Sequence, residues 1–197
     1  MNSPHYPHTS KMAGLTLVEI LVTLVILAIG LLGLAALQVV GMRSTGASEN
    51  RTQATVYLDD LAERLRANSD AIYAAGMYNP AVVLNGAACA APATYCSDNF
   101  NGAAVAGAAC SPAQMATFDQ TEWYCGVWRD GVARGGFNTL AGASATILCN
   151  DADAADAAPC SVRSPLTITL QWTERAVEQG TGGPDTTTQT LTTTIQP

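Results

Sequence analysis

One apolar run restricts this chain more than any other feature. From Leu15 to Val40 it is interrupted only by Thr16, Glu19, Thr23, two glycines and Gln38. As an α-helix rising ~1.5 Å per residue, the run covers ~39 Å, more than the ~30 Å hydrocarbon core of a bilayer. A cleaved secretory signal has an apolar region of only about 7–15 residues, followed by a small-residue cut site. This run is too long for that, and no cysteine lies near its end to accept a lipid. The simplest physical reading is a single spanning helix with its N-terminus in the cytoplasm. The flanking charges add little to that orientation, with Lys11 before the run and Arg43 after it.

Glu19 is the anomaly within the run. A carboxylate inside a bilayer costs several kcal/mol unless it is paired or neutralised. Four residues from the edge, it can snorkel towards the headgroups. It is also placed to meet a cation. The nearest that the chain's own chemistry can supply is an α-amino group, created at Leu15 by a cut after Gly14. In a helical assembly, that amine belongs to a neighbouring subunit.

The stretch "AGLTLVEILVTLVILAIGLLGLAALQ" (Ala13 to Gln38) resembles the class III signal of type IV pilins and pseudopilins. That pattern has a short leader ending in Gly, an apolar first mature residue, and Glu at the fifth mature position. Gly14, Leu15 and Glu19 stand at those places, with Leu where the family most often has Phe. The resemblance implies cleavage by a prepilin peptidase of the inner membrane and N-methylation of Leu15. It also implies a role for Glu19 in recruiting or registering the subunit during assembly.

Composition fits such a chain. Hydrophobic residues make up 48% and charged residues 13% of 197, enough for one domain beside a membrane segment. The basic residues are Lys11 and eight scattered arginines, and the net charge is −7. Without a basic stripe, nucleic-acid binding is disfavoured. The acidic balance also argues against adhesion to anionic headgroups. Removing residues 1–14 takes away both histidines and the lysine, leaving a mature chain near −8.

All six cysteines, Cys89, Cys96, Cys110, Cys125, Cys149 and Cys160, follow the apolar run. None forms a C-x-x-C pair, and no histidine follows His8 to complete a zinc site. An even count in an exported domain reads as a disulfide framework in an oxidising compartment such as the periplasm. Six buried thiols are the bland alternative.

The helix does not obviously stop with the apolar run. Ala54, Tyr57, Leu61 and Leu65 recur at three- and four-residue spacing, with Asp59, Asp60, Glu63, Arg64 and Arg66 on the other faces. The helix is predicted from Leu15 to about Asn68, with Gly30, Gly33 and Gly41 as points where it can bend. Glu63 and Arg66 are spaced to pair, and the charges otherwise read as a solvated face. Residues 76–110 are poor in charge and read as a long loop, ordered by Cys89, Cys96 and Cys110. Ser111, Pro112 and Gln114 form a capping box with proline at the first helical position, opening a helix from Pro112 to about Val127. Asp119 and Trp123 lie one turn apart on it, and "DGVARGG" ends it. "SATILC" is a short strand. "LTITLQW" alternates, with Leu166, Ile168, Leu170 and Trp172 on one face, and "TTTQTLTTTI" is β-prone, with Leu191 and Ile195 on one face. "EQGTGGPD" joins these two runs as a hairpin loop.

The expected fold is therefore α+β: a long N-terminal helix, half of it transmembrane, packed on a small antiparallel sheet. The segments are 1–14 leader, 15–40 transmembrane half-helix, 41–68 amphipathic half-helix and 69–197 a disulfide-containing globular domain in the periplasm.

Chemistry is sparse. A mature chain without histidine has no Ser-His-Asp or Cys-His arrangement, and G-x-S-x-G and P-loop motifs are missing. Asp151, Asp153 and Asp156 raise the question of calcium. Against an EF-hand loop beginning at Asp151, however, the glycine position holds Asp156 and the final glutamate position holds Val162. A solvated acidic tip closed by Cys149 and Cys160 is the preferred reading. Trp123, Trp128 and Trp172 read as core rather than as a ligand platform. No cofactor and no catalytic residue is expected.

Within the pilin superfamily, "IGLLGLAALQ" (Ile29 to Gln38), "CSPAQMATFDQTEW" (Cys110 to Trp123) and "LTITLQW" are similar to PilV-type minor pilins. Cys125 and Cys149 do not align to that pattern. The resemblance implies a non-enzymatic, low-abundance subunit that helps to initiate pilus fibres, with twitching motility and adhesion downstream. Its partners would be other minor and major pilins, the prepilin peptidase and the inner-membrane assembly platform. A minor pseudopilin of type II secretion shares the leader, helix and Glu19. A membrane-tethered periplasmic binding protein or enzyme is the alternative of another class.

Overall fold

The computed structural model describes residues 14, 16–78, 81–86, 89–97, 99–101, 103–105, 109–129, 132–153, 155–156, 158–175 and 186–197. The chain divides into two compact units, residues 1–45 and 46–197.

Helix α1 runs from Leu17 to Ala67. Thr16 opens it, its carbonyl accepting from the Glu19 and Ile20 N–H groups at 3.1 and 3.3 Å. Gly30, Gly33 and Gly41 are points where the helix could bend or melt, and it does not melt there, running uninterrupted across all three. An isolated glycine lowers helix propensity by about 1 kcal/mol but does not remove the i→i−4 bond. In the first unit every described residue up to Arg43 is exposed.

In the second unit, α1 buries Ala54, Leu58, Leu61, Ala62 and Leu65. The expected stripe omitted Leu58 and Ala62 and included Tyr57, which is only half-buried. The covered face is thus wider than an i, i+3/i+4 line, because residues of both the sheet and the helix at 112–125 join this helix in one core. Each fully buried leucine contributes about 2 kcal/mol.

The sheet that covers this face has four antiparallel strands in the order β1-β6-β7-β8. They are β1 (Val82–Leu84), β6 (Ser144–Cys149), β7 (Leu166–Arg175) and β8 (Thr186–Ile195). Alternation in β7 decides the inner face. Leu166, Ile168, Leu170 and Trp172 are 0–1% exposed, and Gln171 faces solvent. The register with β8 runs without a break from Leu166–Ile195 to Arg175–Thr186. The β7–β8 pairing is that of the expected hairpin, and its loop 178–185 lies outside the described residues.

Residues 76–110 are more than a loop. The tripeptide β1 pairs with β6 (Val82–Ile147 to Leu84–Ala145), and β2 (Asn99–Asn101) pairs with β3 (Ala103–Val105). Three-residue strands carry too little alternation to be read by period. A five-residue helix, α2 (Ser69–Tyr73), follows α1 directly and buries Ala71 and Ile72.

Helix α3 spans Pro112–Cys125 and carries the full capping box, with Gln114 N–H to Ser111 Oγ at 3.3 Å and Ser111 N–H to Gln114 Oε1 at 2.9 Å. It stops two residues before the expected end, and Val127 belongs instead to β4 (Val127–Arg129), which pairs with β5 (Val132–Arg134). The cause is Gly126, at φ 90°, where a Cβ would collide with the Arg134 carbonyl. Gly136, at φ 82°, closes the same crossing from the other side.

Three disulfides tie the second unit: Cys89–Cys125, Cys96–Cys110 and Cys149–Cys160. The first anchors the 76–110 segment to the end of α3. The second closes that segment on itself, and the third closes the loop after β6.

Candidate functional site

Among its described residues, the first unit presents one helix surface and nothing that covers it. Leu17, Val18, Leu24, Ile26, Leu31 and Leu32 are 60–79% exposed. A helix apolar on all sides belongs in a membrane or in a helix bundle. Among the described residues, α1 is the one helix long and apolar enough to cross a bilayer. Thr23 satisfies its hydroxyl on the Ile20 carbonyl at 2.8 Å. From Leu17 to Met42, Glu19 is the sole charged side chain. It lies in the first turn of α1, where a carboxylate favours the positive end of the helix dipole. Its own N–H also donates to Thr16 Oγ1 at 3.3 Å. Gly14 is exposed and precedes the helix, and Leu15 lies outside the described residues.

The second unit holds an aromatic and ionic junction between α1 and α3. Trp123 Nε1 donates to the Tyr57 carbonyl at 2.7 Å, and its ring stacks on Phe137 with centroids 5.2 Å apart. Trp123 and Trp172 are 2% and 1% exposed and Trp128 is 9% exposed, as core residues rather than a ligand platform. Arg64 was read as part of a solvated face. It is instead the centre of a network: to Asp60 at 3.1 Å on its own helix, and to Asp119 at 3.1 Å and Glu122 at 3.0 Å on α3. Partial burial works against the guanidinium charge, but its hydrogen bond to the Glu122 carboxylate and the surrounding carboxylates hold its pKa raised. Burial also pushes the Asp119 carboxyl above its usual range, against the pull of Arg64. The i,i+4 pair Asp60–Arg64 and the i,i+3 pair Asp119–Glu122 were visible signals for this junction. Glu63 and Arg66 pair at 2.6 Å.

The acidic loop is organised by its own hydrogen bonds. Asp151 Oδ1 accepts from Ser161 Oγ at 2.6 Å, from the Ser161 N–H at 3.0 Å and from Ser164 Oγ at 3.3 Å. Ser161 Oγ also lies 2.8 Å from Asp156 Oδ2. The Ser161 hydroxyl, then its N–H, hold the Asp151 carboxyl below the ordinary range. Asp151 and Asp156 meet at the Ser161 hydroxyl, while Asp153 Oδ1 accepts from the Ala155 N–H at 3.2 Å, and no metal-ligating group of three forms among the described residues.

A wholly exposed apolar helix with one acid near its start, joined in sequence to an α+β unit whose sheet packs on the helix's later turns, defines a membrane-anchored protein of pilin architecture. Residues 9–35, which contain Gly14, Leu15 and Glu19, match the prokaryotic N-terminal methylation motif. Residues 36–121 match the family described as type IV pilin Tt1218, over the remainder of α1 and the first ten residues of α3. Together the two matches support a type IV pilin, a family whose members are structural rather than enzymatic. No curated protein and no solved structure gives a significant match.

Proposed function

We propose that this chain is a minor pilin of the PilV type, a non-enzymatic subunit that helps to initiate or assemble type IV pilus fibres. In this reading, a prepilin peptidase cuts after Gly14 and Leu15 is N-methylated. The apolar half-helix holds the subunit in the inner membrane, with the disulfide-bonded unit in the periplasm, until it enters the fibre. Glu19 pairs with the amino terminus of a neighbouring subunit, which offsets the cost of burying a carboxylate in lipid. The partners are other minor and major pilins and the assembly platform.

The observation that carries the reading is the exposed apolar helix with its single acid, Glu19, inside the methylation-motif match. The match to a type IV pilin over residues 36–121 favours the pilus over type II secretion. The test is a deletion strain scored for surface pili, with pull-down of the other minor subunits. Loss of pili, restored by the intact gene, is expected. Normal piliation together with a secretion defect would move the chain to the pseudopilins.

A further inference from the structure

The sheet has two unlike edges among the described residues. β1 is three residues long, whereas β8 offers ten, Thr186–Ile195, with nothing paired along its outer side. An edge strand exposes alternate N–H and C=O groups that will pair with another chain. Proteins ordinarily blunt such edges with charge, proline or a bulge. β8 reads TTTQTLTTTI, without a charge or a proline, and its register with β7 has no bulge.

The core is also incomplete along this edge. Leu170 on β7 is fully buried, while Leu191, directly opposite on β8, is only half-buried. On the other face, Thr188, Thr190, Thr192 and Thr194 are exposed and lie beside Thr173, Gln171, Thr169 and Thr167. A strand laid along β8 would extend this uncharged threonine face and would cover Leu191 with its alternate side chains.

A second copy is a poor occupant. Antiparallel β8–β8 pairing places a two-fold axis normal to the sheet and reverses every in-plane direction. The Gly46 ends of the two α1 segments would then point opposite ways, although each chain enters its anchor through that end. Parallel pairing turns one sheet over, so that the threonine face of one copy continues the core face of the other.

We infer that β8 is an acceptor edge for strand addition by a different protein. The partner contributes an extended, uncharged segment in which apolar residues alternate with small polar ones. The strand runs antiparallel to β8, the arrangement that continues the sheet and is the more stable per residue. The inference rests on the anchored-pilin reading only in setting aside a second copy.

The test places a photo-cross-linking amino acid at Thr188, Thr190 and Thr192, one at a time, in the full chain in its native envelope. All three sites should reach one other protein, with contact points stepping backwards by two residues along one segment. With the probe at Thr188, the double substitution T190K/T192K should lower the cross-link yield at least tenfold, and V132K, on the exposed β5, should not. Cross-links between copies of this chain, scattered contact points, or a yield unchanged by the lysines would overturn the inference. Normal piliation in the deletion strain would count against the pilus reading, while the stepping pattern would still stand.

Discussion

At the scale of single residues, charge is sparse, and two carboxylates put it to opposite uses. Glu19 is the sole charge from Leu17 to Met42, and on the proposed reading it pairs with the amino terminus of a neighbouring subunit. Glu19→Ala should leave the protein inserted and helical while lowering surface pili about tenfold, the effect of ~1.4 kcal/mol of lost pairing. Electron microscopy of a complemented deletion strain reads this directly, and unchanged pili would contradict the pairing role. Asp151 has the opposite task, since it accepts from Ser161 and Ser164 and orders a loop. Its folded pKa is depressed, so its stabilisation is present above the ordinary carboxylate value of about 4 and is lost as pH falls through the lower folded value. The Ser161 amide resonance should therefore titrate with a midpoint below about 4, and a midpoint at or above 4 would show that the bonds to Asp151 are not made in solution.

At the scale of elements, the capping box of α3 is the cleanest link from sequence to local structure. Ser111→Ala removes the acceptor for the Gln114 N–H and should destabilise the disulfide-bonded unit by about 1 kcal/mol, read by denaturant titration in detergent. The long helix, the start of α3 and strands β6, β7 and β8 were all legible, because each carries a period or a cap in its own residues. What stayed illegible was set by partners distant in sequence. β1 is a strand because β6 supplies its hydrogen bonds, and three residues of Val and Leu cannot announce that. The end of α3 was misplaced by two residues because Gly126 is fixed by the approach of Arg134 from β5, a contact that no local pattern encodes. Arg64 looked solvated on its own helix, and its role appears only when α3 brings Asp119 and Glu122 to it. Along the α1 stripe, Leu58 and Ala62 were missed for a related reason: α3 and the sheet, both distant in sequence, share one core with this helix and bury a wider arc of it.

At the scale of the whole molecule, the sequence order matters more than any pocket. On the proposed reading a cut site, an anchor carrying one acid and a disulfide-tied unit follow one another, as suits a chain delivered to a membrane and then built into something larger. The central claim is that the first fourteen residues are a leader removed to create a methylated amino terminus at Leu15. Intact-mass analysis of the protein purified from its own membranes tests this most directly. The account predicts a chain that begins at N-methylated Leu15 in the wild type, and an uncut precursor retaining residues 1–14 when Gly14 is replaced by valine. A wild-type chain that keeps its first fourteen residues, or a Gly14→Val variant shortened as usual, would contradict it.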